Sequence, residues 1–276
     1  MSTETKLTPE DAEWIQQYGK DVTNAFEGLF ESEKSRFKEG SKLLDRFKAS
    51  IKDVLDNGWG RFRTVDESHN ELCVAESLLK NPNPTFVTVE YEPPLSGCEK
   101  TIDFRAVTAD GLTLYVDVKT VKPLPKDRWD QYKKAQNKGW FPENVKLLFS
   151  KEWLGGELWH NAFAARSRFL EYTLELEQKI DECSLRGDNI SFVLIFCGEG
   201  FYWHEDELED FVAYYFSGSH RSDDPFGNAE AKYIDEKKLI VAKVIHRFAC
   251  MKRPQGEIRQ RCLNWNVQPP CDPSFD

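Results

Sequence analysis

The sequence predicts an α/β fold in which helices flank a mixed β-sheet. Amphipathic helical patterns occupy the first sixty residues, and a β-hairpin pattern follows at 101–120. An apolar strand at 190–196 lies between long helical patterns at 157–182 and 204–216, and strands that alternate with helices are typical of layered α/β proteins. Because the strand at 190–196 is apolar on both faces, we expect it to be a buried central strand.

The first sixty residues predict a helical extension. Thr8 suits a helix N-cap and Pro9 suits the first helical position. In 41–58 apolar residues recur at helical spacing and the segment ends in Asn-Gly, so it predicts an amphipathic helix. We therefore expect an N-terminal helical extension over residues 1–60 and the main domain over residues 61–276.

The remaining elements follow from shorter patterns. A short helix is predicted within 67–84, where an Asn-Pro-Asn-Pro run ends the helical spacing, and a strand follows at 85–93. Apolar runs at 144–150 and 239–248 predict two further strands. In this order, the hairpin and the buried strand are expected to belong to one mixed sheet, and the helices are expected to pack against it.

Composition favours a globular protein with reduced thiols. The chain has 276 residues, of which 40% are hydrophobic and 30% are charged, and we expect it in the cytoplasm with no membrane partner, because no basic leader or long apolar run is present. The seven cysteines include no CxxC pair, so no disulfide framework is expected. A zinc site at His246 and Cys250 is disfavoured for the same reason.

Charge is distributed unevenly along the chain. The formal net charge is −10, and residues 171–210, with twelve acidic and two basic residues, account for all of it. Residues 119–138 instead hold seven basic and two acidic residues with Trp129 and Tyr132 among them, a pattern typical of a nucleic-acid surface. A solvated helix face is the alternative interpretation. The candidate nucleic-acid-binding residues are Lys122, Lys126, Arg128, Lys133 and Lys134.

The hairpin at 101–120 carries charges that a buried strand normally lacks. Side chains alternate along a strand, so Asp117 and Lys119 share one face. A three-residue loop at 109–111, with glycine at its end, would place Asp103 opposite Asp117, whereas a two-residue turn would put the two carboxylates on opposite faces. The site proposed below therefore depends on the longer loop.

Facing carboxylates repel each other unless a cation lies between them. Mg²⁺ or Mn²⁺ prefers such hard oxygen ligands, and Lys119 on the same face could hold water or neutralise charge on a phosphoryl oxygen. The alternative is an exposed outer strand face on which Asp117 and Lys119 form a surface pair. On the metal hypothesis we expect Asp117→Ala to abolish the reaction that the cation supports and to leave the fold intact, because the substitution relieves repulsion between the carboxylates.

The pattern of Glu71 on a helix, Asp103 in Thr-Ile-Asp-Phe and Asp117-Val118-Lys119 on a strand resembles the PD-(D/E)XK nuclease superfamily, the restriction-endonuclease-like fold. The resemblance covers residues 66–121 and extends by element order to about residue 216. It implies that Asp103 and Asp117 bind the metal, that Lys119 orients or activates water, and that Glu71 completes the metal shell. Glu67 and Glu76 are alternative helix carboxylates.

The resemblance implies a Mg²⁺- or Mn²⁺-dependent hydrolase of DNA phosphodiester bonds, with RNA the less favoured substrate. A homodimer or a recognition partner protein would suit such an enzyme. The acidic 171–210 segment motivates an alternative, a non-catalytic nuclease-fold protein that acts as a protein-interaction module. Lys179 is a further candidate that would face the scissile phosphate, although a base on a solvated acidic helix face is favoured there.

Overall fold

Secondary structure is described from a computed structural model for residues 6–95, 97–121, 157–198, 205–217, 244–252 and 262–267. The helices in these ranges are α1 (Pro9–Ser32), α2 (Gly40–Asn57), α3 (Phe62–Lys80), α4 (Glu157–Glu182) and α5 (Glu205–Ser217), with a 3₁₀ turn at Trp59–Arg61. The strands are β1 (Phe37–Lys38), β2 (Phe86–Tyr91), β3 (Phe104–Thr108), β4 (Thr113–Thr120), β5 (Ile190–Gly198), β6 (Arg247–Lys252) and β7 (Cys262–Val267).

The described strands form one mixed sheet whose order follows the sequence from β1 to β7. Strands β2, β3 and β4 are antiparallel, whereas β4, β5 and β6 are parallel and are connected through α4 and α5. Strand β1 pairs parallel with β2 at one edge, and β7 pairs antiparallel with β6 at the other. The α/β class and the central position of β5 are therefore confirmed.

Helix α1 begins and helix α2 ends where the sequence predicts. The Thr8 hydroxyl accepts the N–H of Asp11 at 3.1 Å, and the Asp11 carboxylate accepts the N–H of Thr8 at 2.9 Å. This reciprocal pair satisfies backbone donors that have no partner within the helix. The buried residues of α2 recur at helical spacing, and the helix ends at Asn57 before Gly58.

Both faces of the sheet are covered by hydrophobic cores. On one side α1, α2 and α3 pack against the sheet, and Val116 and Val118 of β4 belong to this core. On the other side α4 and α5 pack against Tyr115 of β4 and the opposite face of β5. The alternation predicted for β4 is confirmed, and its charged face is directed towards the layer that contains α4.

Two predicted strands have a different outcome. The strand predicted at 239–248 is wrong in position, because 244–246 has no strand structure and β6 begins at Arg247. The N–H of Ile245 donates to the Tyr215 hydroxyl at 3.0 Å instead of to a strand partner. The strand predicted at 144–150 lies outside the described residues. Within the described ranges, no helix is long and apolar enough to cross a membrane.

The expectation of reduced thiols is wrong for two cysteines. Cys98 and Cys183 form a disulfide, although they are separated by 85 residues in sequence. Cys183 directly follows the end of α4, and Cys98 lies in the connection between β2 and β3. The fold brings these distant segments together, which cysteine spacing cannot reveal. Cys73, Cys197 and Cys250 are buried and lie outside this disulfide.

Candidate active site

The hairpin has the register that the three-residue loop predicts. Phe104 pairs with Val116, which places Asp103 opposite Asp117 just beyond the last pair. The N–H of Thr108 donates to the carbonyl of Leu112 at 3.0 Å and closes the loop. Gly111 within the loop has φ +89°, in the left-handed region that glycine adopts most readily. The chain thus brings the two carboxylates to the same end of the hairpin.

Asp117 is a fully buried carboxylate between two lysines. Its side chain is 0% exposed, and Lys179 Nζ donates to Oδ1 at 3.0 Å. Lys119 Nζ lies 3.0 Å from Oδ2 on the other side. The angles of this second contact do not make a hydrogen bond, and within the described part of the chain Oδ2 accepts none. The charge of Asp117 is therefore balanced, while one of its oxygens keeps an unused lone pair.

The alternative of an exposed charged strand face is wrong. Helix α4 covers this face, and the Lys119 and Lys179 side chains are only 19% and 20% exposed. The favoured interpretation of Lys179 as a solvated base on an acidic helix is also wrong. On α4, Lys179 is one helical turn from the core residue Leu176 and adjacent to the core residue Ile180. This side of the helix reaches the end of β4, where Lys179 contacts Asp117.

Asp103 is held by the backbone of the neighbouring strand. One carboxylate oxygen accepts the N–H of Val118 at 2.6 Å. Burial raises the pKa of Asp103 to about 7, and the neighbouring Asp117 charge adds to the increase. For Lys119, burial lowers the pKa, but the charges of Asp117 and Asp103 outweigh it and hold the pKa above its ordinary value. Lys119 is consequently an ammonium at neutral pH.

Glu71 reaches the same cluster from helix α3. Its Oε2 accepts a hydrogen bond from the Tyr91 hydroxyl at 2.8 Å and one from Arg46 Nη1 at 3.0 Å. Burial raises the pKa of Glu71 to about 8, and repulsion from Asp103 is the next largest cause. Glu71 therefore interacts electrostatically with Asp103, which in turn interacts with Asp117.

The other two helix carboxylates lie in ordinary helical ion pairs. Glu67 pairs with Arg63 at 2.7 Å, and Glu76 pairs with Lys80 at 2.6 Å, each across one helical turn. Such pairs stabilise helices and need no further role. Of the three acids considered for the site, the geometry favours Glu71.

Sequence reasoning missed Arg46 and Tyr91, which both donate hydrogen bonds to Glu71. Arg46 of α2 donates to the Tyr91 hydroxyl at 2.5 Å and to Glu92 at 3.3 Å, in addition to Glu71. Lys42, one turn earlier, pairs with Glu92 at 2.7 Å. Arg46 is a charged residue of an amphipathic helix, and its sequence context carries no signal of this role. The contact depends on how α2 packs beside α3.

Three carboxylates and three cationic side chains make up the charged cluster, which we define as Glu71, Asp103, Asp117, Arg46, Lys119 and Lys179. Formal charges within it cancel. In the ranges that the structure describes, no three or more His, Cys, Asp or Glu side chains form a group that could hold a metal ion. Any cation would thus need to replace ammonium or guanidinium contacts of these carboxylates.

The predicted nucleic-acid-binding residues, Lys122, Lys126, Arg128, Lys133 and Lys134, lie outside the described residues. His246, considered for zinc, uses its Nδ1 to accept the N–H of Phe192 at 3.1 Å. Burial lowers the pKa of His246, with Arg247 as a second cause. This arrangement is typical of a structural histidine.

Comparison of the chain with models of protein families, with curated proteins and with solved structures found no match. The function must therefore be inferred from the charged cluster and its chemistry. A fold class alone is compatible with many activities.

Proposed function

We propose that this protein is a divalent-metal-dependent nuclease that hydrolyses DNA phosphodiester bonds on a restriction-endonuclease-like core. One observation carries the proposal: Glu71, Asp103, Asp117 and Lys119, which the resemblance to PD-(D/E)XK nucleases selects, converge in one buried cluster. The hairpin, α4 and the parallel strand β5 also occur in the order that the resemblance implies.

The carboxylates of the cluster are of the chemical type that binds Mg²⁺ or Mn²⁺. Both cations prefer carboxylate oxygens, and Oδ2 of Asp117 is a buried acceptor that receives no hydrogen bond from described residues. Asp103 and Asp117 would hold the cation, with Glu71 completing the ligand set. When bound, the cation supplies positive charge for the phosphate oxygens and promotes attack by water. Raised pKa values at Asp103 and Glu71 are expected where carboxylates lie close together and no cation is bound to them.

The role of Lys119 follows from its charge. An ammonium with a raised pKa is a poor general base, but it is a good donor to water or to a phosphoryl oxygen. Asp117 positions Lys119 at 3.0 Å, and the Nζ also lies 5.9 Å from the ring centre of Tyr172, which limits its movement. We therefore assign Lys119 to orientation of water and stabilisation of negative charge.

The test is cleavage of supercoiled plasmid, single-stranded DNA and RNA by wild type and Lys119→Ala, with Mg²⁺, Mn²⁺ or chelator. Lys34→Ala is the matched control, because Lys34 is 72% exposed, lies in the turn after α1 and pairs with Glu31, three residues earlier. We expect metal-dependent nicking of DNA that Lys119→Ala loses and Lys34→Ala keeps. Cleavage in chelator, or full activity of Lys119→Ala, would refute the site, and preferential cleavage of RNA would refute the substrate.

The charge balance of the cluster favours a second candidate, a non-catalytic nuclease-fold protein that acts as a protein-interaction module. Arg46, Lys119 and Lys179 already neutralise the carboxylates, so the cluster can be a structural ion network. Thermal unfolding with added Mn²⁺ separates the two candidates. A ligand that binds only the folded protein raises its melting temperature, whereas a structural network is indifferent to Mn²⁺.

A further inference from the structure

The Cys98–Cys183 disulfide joins two segments that both contribute to the charged cluster. Cys98 lies in the connection between β2 and β3, and this connection ends at Asp103, directly before β3. Cys183 follows the last residue of α4, one helical turn after Lys179. Lys179 pairs with Asp117 at 3.0 Å, and its charge also acts on Asp103. A covalent bond therefore restrains the chain on both sides of this ion pair.

The last turn of α4 connects the disulfide to Lys179. The N–H of Cys183 donates to the carbonyl of Lys179 at 3.0 Å. Residues four apart on a helix lie on the same face, so the two side chains leave the helix on one side. Helix ends open readily unless other contacts hold them. Restraint of Cys183 by the disulfide thus also restrains the backbone that carries Lys179.

The other contacts between α4 and the connection are weaker or less specific. Lys100 forms an ion pair with Glu182, but the side chains are 39% and 43% exposed, and such pairs contribute little. Ile102 shares a hydrophobic core with Ile180. This apolar contact keeps α4 on the sheet, but it does not fix the Lys179 ammonium at the end of its flexible side chain.

The disulfide is open to reduction from one side. Cys183 is 6% exposed, whereas Cys98 is partly exposed, so a small dithiol can approach Cys98. A thiolate of the dithiol bonds to the Cys98 sulfur, and the Cys183 sulfur leaves and takes up a proton. The second thiol then displaces Cys98 and closes the disulfide of the reagent. Two electrons and two protons pass to the protein, which gains two thiols.

We propose that the Cys98–Cys183 disulfide is a redox switch for the charged cluster: the intact bond holds Lys179 on Asp117, and reduction by a dithiol releases Lys179 towards solvent. Asp117 then keeps Lys119 as its neighbouring cation. The inference goes beyond the proposed function, because it concerns the pairing of Lys179 and applies to a catalytic cluster and to a structural one.

The test compares double-mutant cycles in oxidised and in dithiol-reduced protein by urea unfolding at pH 7. A cycle of Asp117→Asn and Lys179→Met measures the pair, and a cycle of Glu71→Gln and Arg46→Met is the matched control. The control pair also lies 3.0 Å apart, but it belongs to the helices on the other side of the sheet. The effect of the disulfide on the unfolded chain is common to the four proteins of a cycle and cancels.

Two further samples separate the disulfide from other effects of the reagent. Cys98→Ser cannot form the bond and is measured with and without dithiol. Reduced wild type is returned to the oxidised state with oxidised glutathione. Alkylation followed by mass spectrometry establishes the state of Cys98 and Cys183 in every sample.

In oxidised protein we expect Asp117 and Lys179 to couple by at least ~5-fold in the unfolding equilibrium constant. Reduction or Cys98→Ser should lower this factor to below ~2-fold, the range of exposed pairs, and reoxidation of wild type should restore it. The factor for Glu71 and Arg46 should change by less than ~2-fold between the two states.

Three results overturn the inference. An equal factor for Asp117 and Lys179 in oxidised and reduced protein would show that the disulfide only restrains the chain. A parallel loss in the control cycle, or unfolding of the reduced protein, would show a general structural role. Persistence of the bond in folded protein treated with dithiol would show that it does not act as a switch.

Discussion

Replacement of Asp117 by asparagine should destabilise the protein, contrary to the expectation from the sequence. The structure places Lys119 and Lys179 on either side of this carboxylate, and both side chains are about four-fifths buried. Removal of one partner from a buried ion pair costs about 3–5 kcal/mol. Because each lysine keeps some exposure and repulsion with Asp103 is relieved, we expect a loss of about 2–3 kcal/mol.

The assay is urea unfolding at pH 7 with chelator, analysed as a double-mutant cycle of Asp117→Asn and Lys179→Met. Residues in direct contact typically couple by about 0.5–3 kcal/mol, and we expect at least ~1 kcal/mol here. Asp181 and Arg186 provide the control cycle, since their charged atoms lie 2.8 Å apart while their side chains are 75% and 72% exposed. Its coupling should stay below about 0.5 kcal/mol.

The reasoning is refuted if Asp117→Asn unfolds at the wild-type urea concentration or above it. That result would mean that repulsion among the carboxylates outweighs attraction to the lysines, as the sequence alone suggested. An additive cycle would show that Lys179 does not stabilise Asp117 in solution.

Further predictions concern pH, packing and the disulfide. Burial holds the pKa of Glu71 at about 8, above 4.5 in the unfolded chain, so stability should fall as pH rises between these values. Glu71→Gln should flatten this fall in urea midpoints measured at pH 5 and pH 8. Gly28→Ala, with open space around its Cβ, should stabilise by about 0.5–1 kcal/mol. Gly19→Ala should gain less in the same urea unfolding assay, because Ile51 lies 3.0 Å from its new Cβ. Cys183→Ser should lower the free energy of unfolding by about 2–4 kcal/mol, because the disulfide with Cys98 restrains the unfolded chain. Reductant should produce the same loss in wild type.

Local patterns were sufficient for most of the fold. The capping box at Thr8, the apolar stripe of α2 and the alternation of β4 each depend on neighbours within a few residues. The hairpin register followed from a three-residue loop with glycine at position 111, because a shift of one residue would have put Asp103 opposite Val118 instead of Asp117.

Elements that depend on distant partners could not be predicted in the same way. Strand β1 has two residues, too few for a periodic signal, and exists because it pairs with Val89 and Glu90 of β2. Strand β7 is defined by its pairing with β6. The disulfide joins positions 85 residues apart.

The residues of the candidate site also differ in whether local sequence could predict them. Asp103, Asp117 and Lys119 lie on one hairpin, so spacing could place them together. Arg46 and Lys179 reach the cluster from α2 and α4, and neither helix has a pattern that marks the residue. The acidic composition around Lys179 even suggested a solvated face, because composition reports the exposed side of α4 and not its buried side.

The charged cluster is difficult to explain by stability alone. A buried ion network is often less stable than apolar residues of similar volume, since desolvation offsets the Coulomb attraction. Here the cost falls at the end of β4, where Glu71 and Arg46 from one helical layer and Lys179 from the other all act on the charge of Asp103. Asp117 is paired with Lys179 through Oδ1 and lies 3.0 Å from the Lys119 ammonium through Oδ2. A cation that bound this carboxylate would therefore compete with an existing ion pair. The dependence of thermal unfolding on Mn²⁺ thus decides between the metal-dependent proposal and the structural one.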